Sequence, residues 1–103
     1  HDFAKNVLAL LDKEYWGLYN MVCSGQTSRL EVAVELINQL NLQDEIKISE
    51  VSSDYFKETY YAERPPSERL VNRKLSLRNL NLMQDWRESL AKYLANYYPG
   101  YLD

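Results

Sequence analysis

The chain has 103 residues, with 15 acidic against 12 basic side chains, a formal net charge of -3 and 46% apolar residues. That suffices for one small domain with a core, and the mild acidity lacks the basic face that nucleic acid requires. With a lone cysteine, Cys23, and a lone histidine, His1, an internal disulfide and a His/Cys-rich metal site are both excluded.

The longest apolar run, Val7 to Leu11, is too short to cross a bilayer. The amino end has no charged segment followed by an apolar stretch and a small-residue cleavage site. These features predict no nucleic-acid partner, no membrane partner and a reducing, cytoplasmic setting. The chain starts at His1-Asp2-Phe3-Ala4 and runs straight into a helical pattern, so it reads as a piece of a larger protein.

The first element reads as a helix capped by Asp2, with Phe3, Val7, Leu10 and Leu11 on one face. It fades around Lys13 to Tyr15, and Gly17 ends the segment. Gly17 to Cys23 reads as a strand buried on both faces, of the kind found inside parallel sheets. Such a strand needs neighbours to satisfy its backbone, and its open edge predicts self-association. Ser24-Gly25-Gln26 is a turn. Ser28 and Glu31 form a capping box that starts a second helix, with Leu30, Val34, Ile37 and Leu40 along its stripe and an end near Asn41.

Ile46 to Val51 alternates as a short strand, and Ser52-Ser53-Asp54 begins a helical turn. Pro65 and Pro66 rule out a helix around them, which leaves Arg64 to about Val71 as a loop or extended segment. Asn72-Arg73-Lys74-Leu75 reads as a short helical turn. The last helix reads as capped by Asn81 with Gln84 reciprocal. Its stripe is Met83, Trp86, Leu90, Tyr93, Leu94 and Tyr97, and Pro99-Gly100 stops it. The resulting expectation is an α/β piece of about three longer helices with two or three short strands.

The chemistry-bearing residues are few. Glycines stand at positions 17, 25 and 100 alone, too scattered for a phosphate-cradling dinucleotide turn. Tyr93 and Tyr97 have no lysine four residues on, so a Tyr-x-x-x-Lys reductase pair is missing. Cys23 reads as a small core residue. The helix start at Ser28 is chiefly structural but offers N–H groups to an anion or sugar hydroxyl. Arg64, held by two prolines, suits bidentate contact with a phosphate or carboxylate, against the plainer reading of a surface arginine in a turn.

Four motifs run in order along the chain: Asp2-Phe3-Ala4 before an apolar helix; Gly17-Leu18-Tyr19-Asn20; Thr27-Ser28-Arg29-Leu30-Glu31-Val32-Ala33; and Arg64-Pro65 with Leu70, Lys74-Leu75 and Trp86. In this order the chain resembles the carboxy-terminal third of the extended short-chain dehydrogenase/reductases, in their dTDP-4-dehydrorhamnose reductase-like, sugar-nucleotide-binding group. The resemblance implies that a missing amino-terminal domain binds NADPH or NADH and carries the catalytic pair. This chain would then contribute the nucleotide-sugar side, with Arg64 as first substrate contact and Ser67 and Ser28 after it. No cofactor is expected in the piece itself, and no catalysis from it alone.

That group typically reads Arg-Pro-x-Asn-Ser-x-Leu-Asp. Here Ser67, Glu68 and Val71 stand where Asn, Ser and Asp are usual, which leaves the sugar open. Two other readings also stay open: a non-catalytic regulatory protein on the same scaffold, and a free-standing interaction module.

Overall fold

The computed structural model describes residues 1–59 and 65–100. The helices in chain order are α1 (Asp2–Asp12), α2 (Arg29–Gln39), a 3-10 turn (Ser53–Phe56), α3 (Arg73–Leu77) and α4 (Trp86–Tyr97). The chain divides into two compact units, His1–Gln26 with Leu70–Asp103 and, separately, Thr27–Arg69. Buried apolar side chains are Leu75 and Trp86 in the first unit and Leu42 in the second.

The α/β expectation is overturned: the fold is helical. Among the described residues no sheet forms, and one isolated parallel bridge joins Ser24 to Asp85. Ser24 N–H donates to the Gln84 carbonyl at 2.9 Å, and Trp86 N–H donates to the Ser24 carbonyl at 3.2 Å. At Trp86 the chain enters α4, so the ladder stops after one step.

The expected strand at Gly17 to Cys23 has no strand neighbour. A side chain takes that place. Val22 N–H donates to Asn72 Oδ1 at 2.9 Å, and Asn72 Nδ2 donates back to the Val22 carbonyl at 2.7 Å. A primary amide carries a donor and an acceptor as a peptide group does, so it can pair one residue's backbone without a ladder. The expected strand at Ile46 to Val51 also forms no ladder, and Ile46 and Val51 remain exposed. Alternation alone makes no strand where no second extended segment pairs with it. The sheet edge expected to drive self-association therefore has no strand to carry it among the described residues.

Helix α1 forms as expected but turns a different face inward. Its N-cap is His1, not Asp2, and no side chain caps it. The Asp2 carboxylate instead accepts a hydrogen bond from Ser89 Oγ of α4 at 2.6 Å. Asn6 is completely buried, whereas Phe3 is 59% exposed. Asn6 Nδ2 donates to the Leu80 carbonyl, and Leu82 N–H donates to Asn6 Oδ1 at 2.9 Å. The two backbone groups lie on one side of an extended stretch, so Asn6 pairs residues 80–82 as Asn72 pairs Val22.

Helix α2 matches the sequence reading. Ser28 Oγ accepts from Glu31 N–H at 3.1 Å, and Ser28 N–H donates to the Glu31 carboxylate at 2.7 Å. Helix α4 starts later than expected, with Asp85 as N-cap accepting from Arg87 N–H at 2.9 Å. Asn81 is drawn away to accept from Asn72 Nδ2 at 3.1 Å. Along the α4 stripe Trp86 is buried and Leu90 and Leu94 are half-buried, while Tyr93 and Tyr97 stay largely exposed.

Three helices end in the same way. Glu14, Asn41 and Asn79 follow the last turns of α1, α2 and α3 with φ of 52, 55 and 53°. In each case the next residue's N–H reaches back to a carbonyl of the last turn: Tyr15 to Leu10 at 3.1 Å, Leu42 to Ile37 at 3.0 Å and Leu80 to Leu75 at 2.9 Å. These are Schellman stops, which consume the orphan carbonyls and place an apolar or aromatic residue against the helix it leaves. The expected stop at Gly17 comes three residues earlier, at Glu14. A left-handed non-glycine residue there costs about 1 kcal/mol.

Candidate functional site

The stop after α1 points the chain across the foot of that helix. Val7, Leu10, Leu11, Tyr15, Trp16, Gly17 and Tyr19 then line an open hollow of about 160 Å³. Its walls are aliphatic on the α1 side and aromatic on the other, and Trp16 is 71% exposed.

Two cations of the α3 region adjoin the aromatic wall. Lys74 Nζ lies 4.4 Å from the centre of the Tyr19 ring and donates to the Leu18 carbonyl at 3.2 Å. The Arg78 guanidinium lies 4.4 Å from the Tyr15 ring centre and 5.5 Å from that of Tyr19, and it donates to the Tyr19 hydroxyl. Gly17, at φ 129°, makes room for the lysine, since a Cβ at that position would sit 2.9 Å from Lys74 Nζ. The ion pairs seen among the described residues, Lys13–Asp12 and Lys57–Asp54, leave Lys74 and Arg78 without a carboxylate partner. Their charges are met by ring faces, a carbonyl and a hydroxyl.

The residues singled out from sequence lie elsewhere. Arg64 falls outside the described residues. Ser67 is exposed in the stretch 65–71, which is neither helix nor strand, as its prolines require. Ser28 is the N-cap of α2, its hydroxyl oxygen already accepting from Glu31 N–H. The sequence reading missed Tyr15, Tyr19, Lys74 and Arg78 as a group. The available signal was the four-residue spacing of Lys74 and Arg78 on a short helix, which puts both on one side. Their meeting with tyrosines more than 50 positions away left no trace in the sequence. Cys23, read as core, is half-buried with its Sγ 3.7 Å from Ser89 Oγ.

The family model described as the RmlD substrate binding domain matches residues 1–98. The chain belongs to this family. The RmlD substrate-binding domain carries sugar-nucleotide binding in a reductase-like setting, which agrees with the motif order from Asp2 to Trp86. No curated protein and no solved structure matches the chain.

A dinucleotide cofactor does not fit the residues present in this RmlD substrate-binding domain. The Gly25 turn follows an extended segment, yet its open side is already filled. A Cβ at Gly25 would lie 2.7 Å from Asp85 Oδ2 and 2.9 Å from Trp86 Cδ1. A carboxylate and an indole there oppose a phosphate. At Gly17 the space belongs to Lys74. Among the described residues no helix is long and apolar enough to cross a membrane.

Proposed function

We propose that residues 1–103 form the carboxy-terminal, nucleotide-sugar-binding portion of a larger NAD(P)H-dependent dTDP-4-dehydrorhamnose reductase-like oxidoreductase. The family match as a substrate-binding domain over residues 1–98 carries this reading. NADPH or NADH, and the tyrosine and lysine that handle the proton, belong to a dinucleotide-binding domain outside this chain.

The work of this chain is orientation, which holds a bound sugar nucleotide in a reactive pose and removes entropy from the barrier. Arg64 supplies a rigid bidentate donor for an anionic group. Ser67 is exposed and free to meet a sugar hydroxyl. Ser28 accepts from Glu31 N–H, and its own O–H remains to donate.

The test is a titration of the 103-residue chain with dTDP-glucose, UDP-glucose and NADPH, followed by amide chemical shifts. The expected result is saturable binding of a nucleotide sugar, weakened roughly 10-fold by Arg64→Gln, with no response to NADPH. A chain that responds to no nucleotide sugar, or that by itself oxidises NADPH with a keto-sugar nucleotide, overturns the reading.

A further inference from the structure

We infer that Lys74, Arg78, Tyr15, Tyr19 and Trp16 form a binding site for a nucleoside diphosphate group, with the two phosphates on the cations and the flat ring in the adjoining hollow. The inference deepens the nucleotide-sugar reading and rests on it for the choice of ligand, but it concerns residues that neither the family match nor the motif order assigns.

The first support is charge. Lys74 and Arg78 stand four residues apart, one within α3 and one at its C-cap, so their positive charges face the same side and repel. A structural role would be expected to pair at least one of them with a carboxylate. Instead both are satisfied by neutral groups: the Leu18 carbonyl, the Tyr19 hydroxyl and two ring faces. Such contacts fix the position of a cation without cancelling its charge. The lysine ammonium has three donors and the guanidinium five, so both keep donors for a ligand. An anion bridging them removes the repulsion and gains charge-assisted hydrogen bonds.

The second support is shape. The hollow beside the cations holds about 160 Å³ and is lined by Val7, Leu10, Leu11, Tyr15, Trp16 and Tyr19. That scale suits a single flat ring and not a folded partner's side-chain cluster. Trp16 is 71% exposed. An indole left so open at the rim of an apolar hollow offers a stacking face for a base. The Tyr15 and Tyr19 rings link the two halves of the site, since each touches a cation and each also lines the hollow.

The third support is the backbone. Glu14 accepts a left-handed conformation so that Tyr15 can fold back over Leu10, and Gly17, also at positive φ, leaves the space Lys74 occupies. Two successive uncommon backbone conformations serve to bring one tyrosine and one lysine to the same rim.

The experiment uses the 103-residue chain with UDP, dTDP, inorganic pyrophosphate and uridine as probes, reading the Trp16 indole N–H signal with the buried Trp86 as internal reference. UDP or dTDP is expected to shift Trp16 saturably, and uridine to bind at least about 10-fold more weakly because it lacks the charged contacts. Added salt should weaken UDP far more than uridine. Lys74→Gln and Arg78→Gln should each weaken UDP about 10-fold with unchanged far-ultraviolet circular dichroism. Lys57→Gln, on an exposed lysine paired with Asp54, should leave binding as it was.

If the Gln variants unfold, the comparison of UDP with uridine and its salt dependence decide alone. Equal binding of uridine and UDP, or shifts that bypass Trp16, overturn the site and leave Lys74 and Arg78 as clamps on residues 15–19. Binding of dTDP-glucose that ignores Lys74 and Arg78 also overturns it, while the nucleotide-sugar reading stands. UDP binding that depends on both cations, with no nucleotide sugar bound, upholds the site and defeats that reading.

Discussion

In the unit of His1–Gln26 and Leu70–Asp103, Asn6 bonds to backbone groups 74 and 76 positions away, and Asn72 to one 50 positions away. In Thr27–Arg69 the bonds of Ser28 with Glu31, Glu35 with Gln39 and Asn38 with Gln43 join residues three to five positions apart. The first unit is organised by buried amides that reach across the chain. The second shows a helix that caps and braces itself. The contrast separates what a single substitution can disturb: a tertiary junction in one unit, a helix end in the other.

The sharpest way to break this contrast is Asn72→Ala. It strips a partner from Val22 N–H, the Val22 carbonyl and Asn81 at once. The expected loss is about 2 kcal/mol in urea denaturation, with fast hydrogen exchange at the Val22 amide. A loss below about 0.5 kcal/mol would show that the amide is incidental to the fold.

Ser28→Ala is the matching change in the second unit. It should cost about 1 kcal/mol and speed exchange at the first amides of α2, while Val22 exchanges as before. Equal effects of the two variants on Val22 would erase the distinction between junction and helix end.

The smallest effect lies at the exposed end of α4. The hydrogen bond with Tyr93, and then the repulsion of its charge, hold Tyr98 above its ordinary 10.0. The neutral phenol is the favoured form in the folded chain. Its contribution to stability is therefore complete below the unfolded value and is lost as pH rises through the folded one. Tyr93→Phe should bring the Tyr98 titration back toward 10.0, as read by ring-carbon chemical shifts. An unchanged titration would refute the coupling.

The site was less legible than the fold. Arg64-Pro65 drew attention because rigidity around an arginine is a local property. Lys74 and Arg78 show their spacing but not their tyrosines, which arrive through the stop at Glu14 and the opening at Gly17. The two strands failed for a related reason. An alternating or apolar run records that a segment is suited to pair, and Gly17 to Cys23 is so suited, but pairing requires a second segment. Here Val22 found an asparagine side chain.

The sequence by itself determined the α2 capping box, the helical turns at Ser53 and Arg73, the proline-bound stretch after Arg64 and the motif order that marks the family. Each depends on neighbours within a few residues or on serial order. Tertiary structure alone decided that Asn6 and Asn72 are buried, that Asp85 displaces Asn81 as the cap of α4, and that two cations gather on Tyr15 and Tyr19. Those outcomes turn on which distant group satisfies a buried donor or an uncompensated charge, and only the folded chain brings such groups within reach.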